Sequence, residues 1–304
     1  MAAKAAAQSG HPGSFKTWEA RLPLLLTYIL LSIGAIVMIM PFVWMVSTSV
    51  KPDREIFGDT IRWIPNELDL QNYSDAFEQT NMPRIFANTV LVTAVAVFSQ
   101  VLLGSMAGYV FARLQFRGKM LIFFALLTTM MVPFEVLIIP VFLLIRAFPL
   151  AGGNDILGQG GTGLINTLGG VMFPNFVSVF GVFLFRQFYL GFPKEIEEAA
   201  IVDGCSRIGV YWRILIPNSK PVMGTMALFA FLWSWNDFLW PLVVVKEDSL
   251  KTIQLGLSVF DQEQGTAWAE LMAASVMAVV PVIFLYIFLQ RFLVSGGITS
   301  GIKG

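Results

Sequence analysis

Three carboxylates fall inside long apolar stretches of the sequence: Glu135, Asp237 and Glu270. An Asp or Glu alone at mid-bilayer costs roughly 2.5 kcal/mol or more, so each is expected to face other helices, water or a partner chain. Glu135 is the deepest and lies between Pro133 and Pro140, where proline frees backbone groups and bends a helix. Asp237 follows Asn236 in an aromatic run that holds Trp233, Trp235 and Trp240. Glu270 sits at the start of its stretch, at the level of a membrane interface. The rest of the inventory is restrictive. One cysteine (Cys205) and one histidine (His11) exclude an internal disulfide, a Cys/His zinc site and a Ser-His-Asp triad. The pattern GxxxxGK[ST] is absent from the chain, so ATP chemistry would belong to another subunit. No catalytic or metal-ligating set is expected.

The elements that position these groups must live in lipid. Of 304 residues, 56% are hydrophobic and 13% charged, with 27 Phe, 14 Met and 8 Trp; a soluble chain carries about 25% charged residues. That excludes an ordinary soluble enzyme, a disordered chain and a secreted disulfide scaffold. Net charge is zero, so no basic field points to nucleic acid. A span takes about 20 mostly apolar residues and must be helical, because lipid offers its backbone no hydrogen bonds. Six stretches qualify: Leu22–Val46, Asn88–Ala112, Met120–Ile145, Leu164–Phe185, Val222–Val245 and Trp268–Leu289. The expected fold is all-α and polytopic, with six transmembrane helices. The first stretch is too long for a signal-peptide core and is read as an uncleaved span. Within the second, Gly104-Ser105-Met106-Ala107-Gly108 forms a small-residue face for close packing, on a neighbouring span or on a partner chain.

Placement of Lys and Arg sets the orientation. With the N-terminus inside, thirteen of them lie inside and seven outside. The sharpest evidence is the segment Arg113–Lys119, with three basic residues and no acid. Both termini are therefore expected in the cytoplasm. The division is a tail 1–21, a first helix 22–46, an outer loop 47–87 with a short helix near Asn72–Phe77, a five-helix domain 88–292 and a tail 293–304.

Residues 194–221 form an inside loop with a hydrophobic and polar rhythm. Glu195, Glu197 and Glu198 suit a helix start. Asp203-Gly204 reads as a helix stop, and Ile208, Tyr211, Trp212 and Leu215 follow at helical spacing. The pattern predicts two short helices around Gly204. From physics alone, an interfacial amphipathic turn explains it equally well.

The spacing Glu198-Ala199-Ala200, three residues, Gly204, nine residues, Ile214-x-Ile216-Pro217 resembles the EAA loop of bacterial ABC-importer membrane subunits. Ile216 stands where that pattern commonly has Leu. The run Trp233–Pro241, the segment Met131–Pro140 and the C-terminal tail from Gln290 to Gly304 resemble carbohydrate-importer permeases, in particular the shorter partner of a maltose-type pair. The resemblance implies a type I ABC-importer permease fold in the bacterial inner membrane. It implies that Glu198, Ala199, Ala200, Asp203, Gly204, Ile214 and Pro217 couple to an ATPase. It also implies a second permease subunit, two cytoplasmic ATPase subunits carrying ATP and Mg, an extracytoplasmic sugar-binding protein and a carbohydrate substrate. No cofactor is expected on this chain. Glu135, Trp235, Asn236 and Asp237 are candidates for the substrate pathway, with rings stacking on sugar faces and polar groups taking hydroxyls. The competing reading is an interfacial aromatic belt, with Asp237 bonded to a neighbouring helix. Two alternatives stand beside the carbohydrate importer: a relative that imports a polyol or glycerol phosphate, and a proton-coupled transporter using Glu135 or Asp237.

Overall fold

The computed structural model describes residues 16–58, 62–262 and 265–294. His11, the start of the N-terminal tail and the C-terminal tail from residue 295 lie outside the described residues. Its regular elements are helices apart from one hairpin of two-residue strands, β1 (Asp261–Gln262) against β2 (Gly265–Thr266), antiparallel with Asp261 opposite Thr266.

Helix α1 (Lys16–Thr48) starts six residues before the predicted span. Every residue from Pro23 to Val43 is exposed, so its apolar length is left for lipid or another chain. Only its end is anchored. There Ser47, Thr48, Ser49 and Lys51 are buried, the last two held by α2 (Gln71–Gln79), the short helix expected in the outer loop. The Asn72 amide donates to the carbonyls of Ser49 (3.1 Å) and Lys51 (2.9 Å), and the Lys51 ammonium lies 4.3 Å above the Trp44 ring. Burial holds the Lys51 amine below its ordinary value.

The central element is α3 (Met82–Arg113), a 32-residue helix. On one side its glycine face meets α7 (Val179–Leu190). A Cβ on Gly108 would fall 2.6 Å from the Phe185 Cβ, and one on Gly104 would fall 3.3 Å from the Gly181 carbonyl carbon. The small-residue face therefore serves a neighbouring span of the same chain. Beside α7 and touching it, α10 (Lys220–Trp235) packs on α3, and α13 (Trp268–Val294) packs on α10. Two buried clusters result. One joins Tyr109, Phe185, Tyr189, Tyr211, Leu215 and Met226 at the end bearing loop 194–221. The other joins Ile85, Phe231, Trp235, Ala274, Ala278 and Ile253 of the short helix α12 (Ile253–Leu257) towards the opposite end.

The six predicted spans are not six continuous helices. Among the described residues four helical stretches are long and apolar enough to cross a membrane, and a bent pair, taken as one span, makes a fifth. The predicted third span is that pair, α4 (Lys119–Thr129) and α5 (Phe134–Arg146), bent by 104°. Its break ends at Pro133, which cannot donate a backbone N–H. The fourth runs as α6 (Leu168–Met172), a 3-10 turn at Phe173–Asn175, and α7. The predicted fifth span divides into α10 and α11 (Leu239–Val244), too short singly for the bilayer. Here the Asn236 side chain donates back to the Leu232 carbonyl (2.8 Å), and Asp237 accepts from the Trp240 N–H (3.3 Å), closing one helix and opening the next.

Candidate functional site

Loop 194–221 is a helix pair, as its sequence pattern predicts. Helix α8 (Lys194–Val202) stops at Gly204, whose φ is +85°, a left-handed conformation that glycine takes without strain. Helix α9 (Arg207–Val210) follows, capped by Ser206 Oγ accepting from the Gly209 N–H at 3.1 Å, and continues through a π-helical turn at Tyr211–Leu215 into Ile216–Asn218. Around Gly204 the tip is apolar and open. Val202 is 86% and Ile208 73% exposed, and nothing lies within 4 Å of the position a Gly204 Cβ would take. Glu198, Ala199, Asp203 and Pro217 are exposed, while Ala200 and Ile214 are half-buried.

This tip is tied down by residues that the sequence reading does not assign to it. Ser105, Tyr109 and Arg113 lie four apart on α3 and so share one face. Ser105 Oγ is 2.7 Å from the Tyr211 hydroxyl, and the Tyr109 hydroxyl donates to the Arg207 carbonyl at 3.1 Å. Arg113 Nε lies 2.7 Å from Glu197 Oε1, with both side chains nearly buried, and Arg113 Nη2 donates to the Phe192 carbonyl. Burial pushes the Glu197 carboxyl above its ordinary range, and the Arg113 charge pulls it back only in part. The available signal was a polar stripe at four-residue spacing running down an apolar span.

The candidate pathway residues gather at two breaks. Phe134, the first residue of α5, meets Trp240 of α11 edge to face, with 5.8 Å between ring centroids. The break before α5 and the break before α11 are therefore neighbours. Irregular backbone at membrane depth is tolerated where it is buried in protein or lines a water-filled cavity. Glu135 is exposed at the start of α5 and makes no hydrogen bond or ion pair among the described residues. Asp237 is half-buried. Asn236 is exposed. Trp235 is placed differently: its ring stacks on Phe231, meets Phe86 edge on, and its indole N–H donates to the Ala278 carbonyl at 3.2 Å. Trp240 is buried and donates to the Gly170 carbonyl at 3.1 Å. Trp233 is the half-exposed ring of the three.

A bundle of apolar spans, two of them broken side by side, with a rigidly tethered helix pair at one end, defines a multi-pass membrane transport subunit. The chain belongs to the family of binding-protein-dependent transport system inner membrane components, whose model matches residues 100–296. It is 34% identical to the arabinooligosaccharides transport system permease protein AraQ of Halalkalibacterium halodurans, over 90% of this chain and 96% of that one. It is 30% identical to the lactose transport system permease protein LacG of Rhizobium radiobacter, over 93% and 98% of the two chains. Its fold matches a chain of a bacterial ABC transporter involved in the import of the acidic polysaccharide alginate, with TM-score 0.75 and 21% identity over 93% of this chain and 99% of that one.

Proposed function

We propose that this chain is a transmembrane permease subunit of an ATP-driven, binding-protein-dependent carbohydrate importer, and that loop 194–221 transmits closure of an ATPase to the spans. The observation that carries the reading is the apolar tip at Val202 and Ile208, exposed on a loop that α3 holds rigidly. Exposed apolar residues on a fixed, non-lipid surface are what a docking partner covers. ATP hydrolysis, with its Mg, belongs in this reading to two cytoplasmic ATPase subunits, and the chain itself is not an enzyme. A second permease covers part of the apolar surface left by α1, and a sugar-binding protein delivers substrate at the opposite face. Both termini lie in the cytoplasm of a bacterial inner-membrane protein, in keeping with the basic Arg113–Lys119 segment. Residues Glu198, Ala199, Ala200, Asp203, Gly204, Ile214 and Pro217 form the coupling surface, and Glu135, Asn236 and Asp237 line the sugar pathway at the paired breaks. The relatives named for arabinooligosaccharide and lactose transport support a sugar of oligosaccharide class.

The test is co-purification in mild detergent of tagged wild type beside Gly204→Asp, with subunits identified by mass. Wild type is expected to retain an ATPase and a second permease, and the variant to lose the ATPase alone. A wild-type chain that purifies alone and still transports overturns the proposal.

A further inference from the structure

At the end of the bundle bearing loop 194–221, two cations stand together without a carboxylate. The Arg186 guanidinium on α7 lies 4.1 Å over the Phe123 ring of α4, and its Nη2 is 4.0 Å from the Met120 sulfur. Its Nε is buried without a hydrogen-bond acceptor among the described residues. Lys119, next to Met120 in the chain, is half-buried and donates to the Leu114 carbonyl at 2.8 Å and the Ala112 carbonyl at 3.4 Å, which leaves one N–H for a further acceptor. Because the Met120 sulfur that Arg186 meets belongs to the residue next to Lys119, the two cations share the first turn of α4. None of α3, α4, α7, α10 or the segment 114–118 contains an Asp or Glu, and Glu197 on α8 is already paired with Arg113. Arg117, two residues before Lys119, is exposed and adds a third positive charge. Immediately along α4, Leu121 (75%) and Phe124 (57%) are exposed, as a lipid-facing surface requires.

Two partly buried cations side by side, one with an orphan buried donor, are stabilised by an anion. Here the anion must sit at the boundary between a water-facing segment and an apolar helix face, which is where phospholipid phosphates lie. Basic pockets between spans on the cytoplasmic side are suited to acidic headgroups. We propose that Arg186 and Lys119 bind the phosphate of an anionic phospholipid headgroup, with the acyl chains lying along Leu121 and Phe124. The inference rests on the orientation given above only for the leaflet; the binding itself is independent of what the chain transports.

The experiment is native mass spectrometry of the full chain, with the subunits it retains, extracted from nanodiscs of equimolar phosphatidylglycerol and phosphatidylcholine. Wild type is expected to keep phosphatidylglycerol selectively. Each of Arg186→Gln and Lys119→Gln is expected to lower that preference about five-fold, as a cation beside an anionic surface contributes about that factor. Arg186→Lys, which keeps the charge, is expected to retain it, and either neutral variant that elutes like wild type is sufficient to decide. Equal retention of the two lipids by wild type, or an unchanged preference in a folded neutral variant, overturns the site. Displacement by millimolar inorganic phosphate overturns the lipid assignment in favour of a free anion.

Discussion

Arg113, the last residue of α3, and Glu197, on the first turn of α8, form a nearly buried ion pair with 2.7 Å between Nε and Oε1. The same guanidinium donates to the Phe192 carbonyl, so one side chain fixes both the start of the helix pair and the chain leading into it. With the Tyr109 and Ser105 contacts, the loop is bound to α3 along three consecutive helical turns. A push on the tip is then a push on the bundle's central helix, which also carries the glycine seam to α7.

Breaking this pair from one side leaves the other charge buried. Arg113→Met is expected to destabilise the detergent-solubilised protein by about 3 kcal/mol, whereas Arg113→Met/Glu197→Met recovers most of the loss. A double-mutant cycle of thermal midpoints checks this. A double variant as unstable as the single one would show that Arg113 acts through packing or through Phe192 instead.

The Glu197 carboxyl also sets a pH dependence. Its proton is held to higher pH in the folded chain than at the ordinary value of 4.5, chiefly by burial. The folded state therefore binds more protons in that window, and the stability this residue contributes is greatest below it and declines as pH rises through the folded value. Stability of wild type relative to Glu197→Gln should fall as pH rises from 4.5 upward. Parallel pH profiles for the two proteins would contradict the raised value.

The apolar spans and the helix pair around Gly204 were legible because hydropathy and helical spacing are local properties. The breaks were only half legible. Pro133 and Pro140 announce a bend but not an angle of 104°, which depends on where α5 finds its packing partners. Trp235 looked like a ligand platform from composition, yet Phe231, one turn back, takes its face. That contact is tertiary in origin, fixed by how α10 rotates against α3 and α13. Arg113 read as one more positive-inside charge, because its partner lies 84 residues away.

The glycine seam gives a graded prediction. A Cβ at position 108 would meet Phe185 Cβ at 2.6 Å and the Arg186 backbone nitrogen at 2.9 Å, neither of which moves without shifting α7. At position 104 the tightest contact is 3.3 Å. Gly108→Ala should cost about 1–3 kcal/mol of thermal stability, with Gly104→Ala clearly less. Equal midpoints for the two would mean that α3 and α7 are not as close as described.

At Gly204 the constraint is backbone conformation, since the space beyond it is open. Asparagine tolerates positive φ and β-branched residues do not. Gly204→Asn should keep most ATPase co-purification, and Gly204→Val should lose most of it while the thermal midpoint of the membrane part changes little. If both variants bind alike, the left-handed turn at Gly204 is irrelevant to docking.

The paired breaks separate sugar binding from a purely structural role. Asp237→Asn keeps an oxygen to accept the Trp240 N–H, so α11 should still start in place and the subunits should still assemble. What is lost is a charged acceptor, worth about 1.5–3 kcal/mol when it binds a hydroxyl. Uptake of a labelled oligosaccharide should therefore drop roughly ten-fold or more at unchanged expression. Glu135, exposed and without a described partner, has no structural role to lose, so Glu135→Gln should leave the thermal midpoint alone and reduce uptake only if its carboxylate faces the pathway. Full uptake in both variants would remove these residues from the pathway and leave Asp237 as the cap of α11. Uptake that survives removal of ATP in wild type and disappears in Glu135→Gln would instead mark proton coupling, and would overturn the ATP-driven reading together with the role given to loop 194–221.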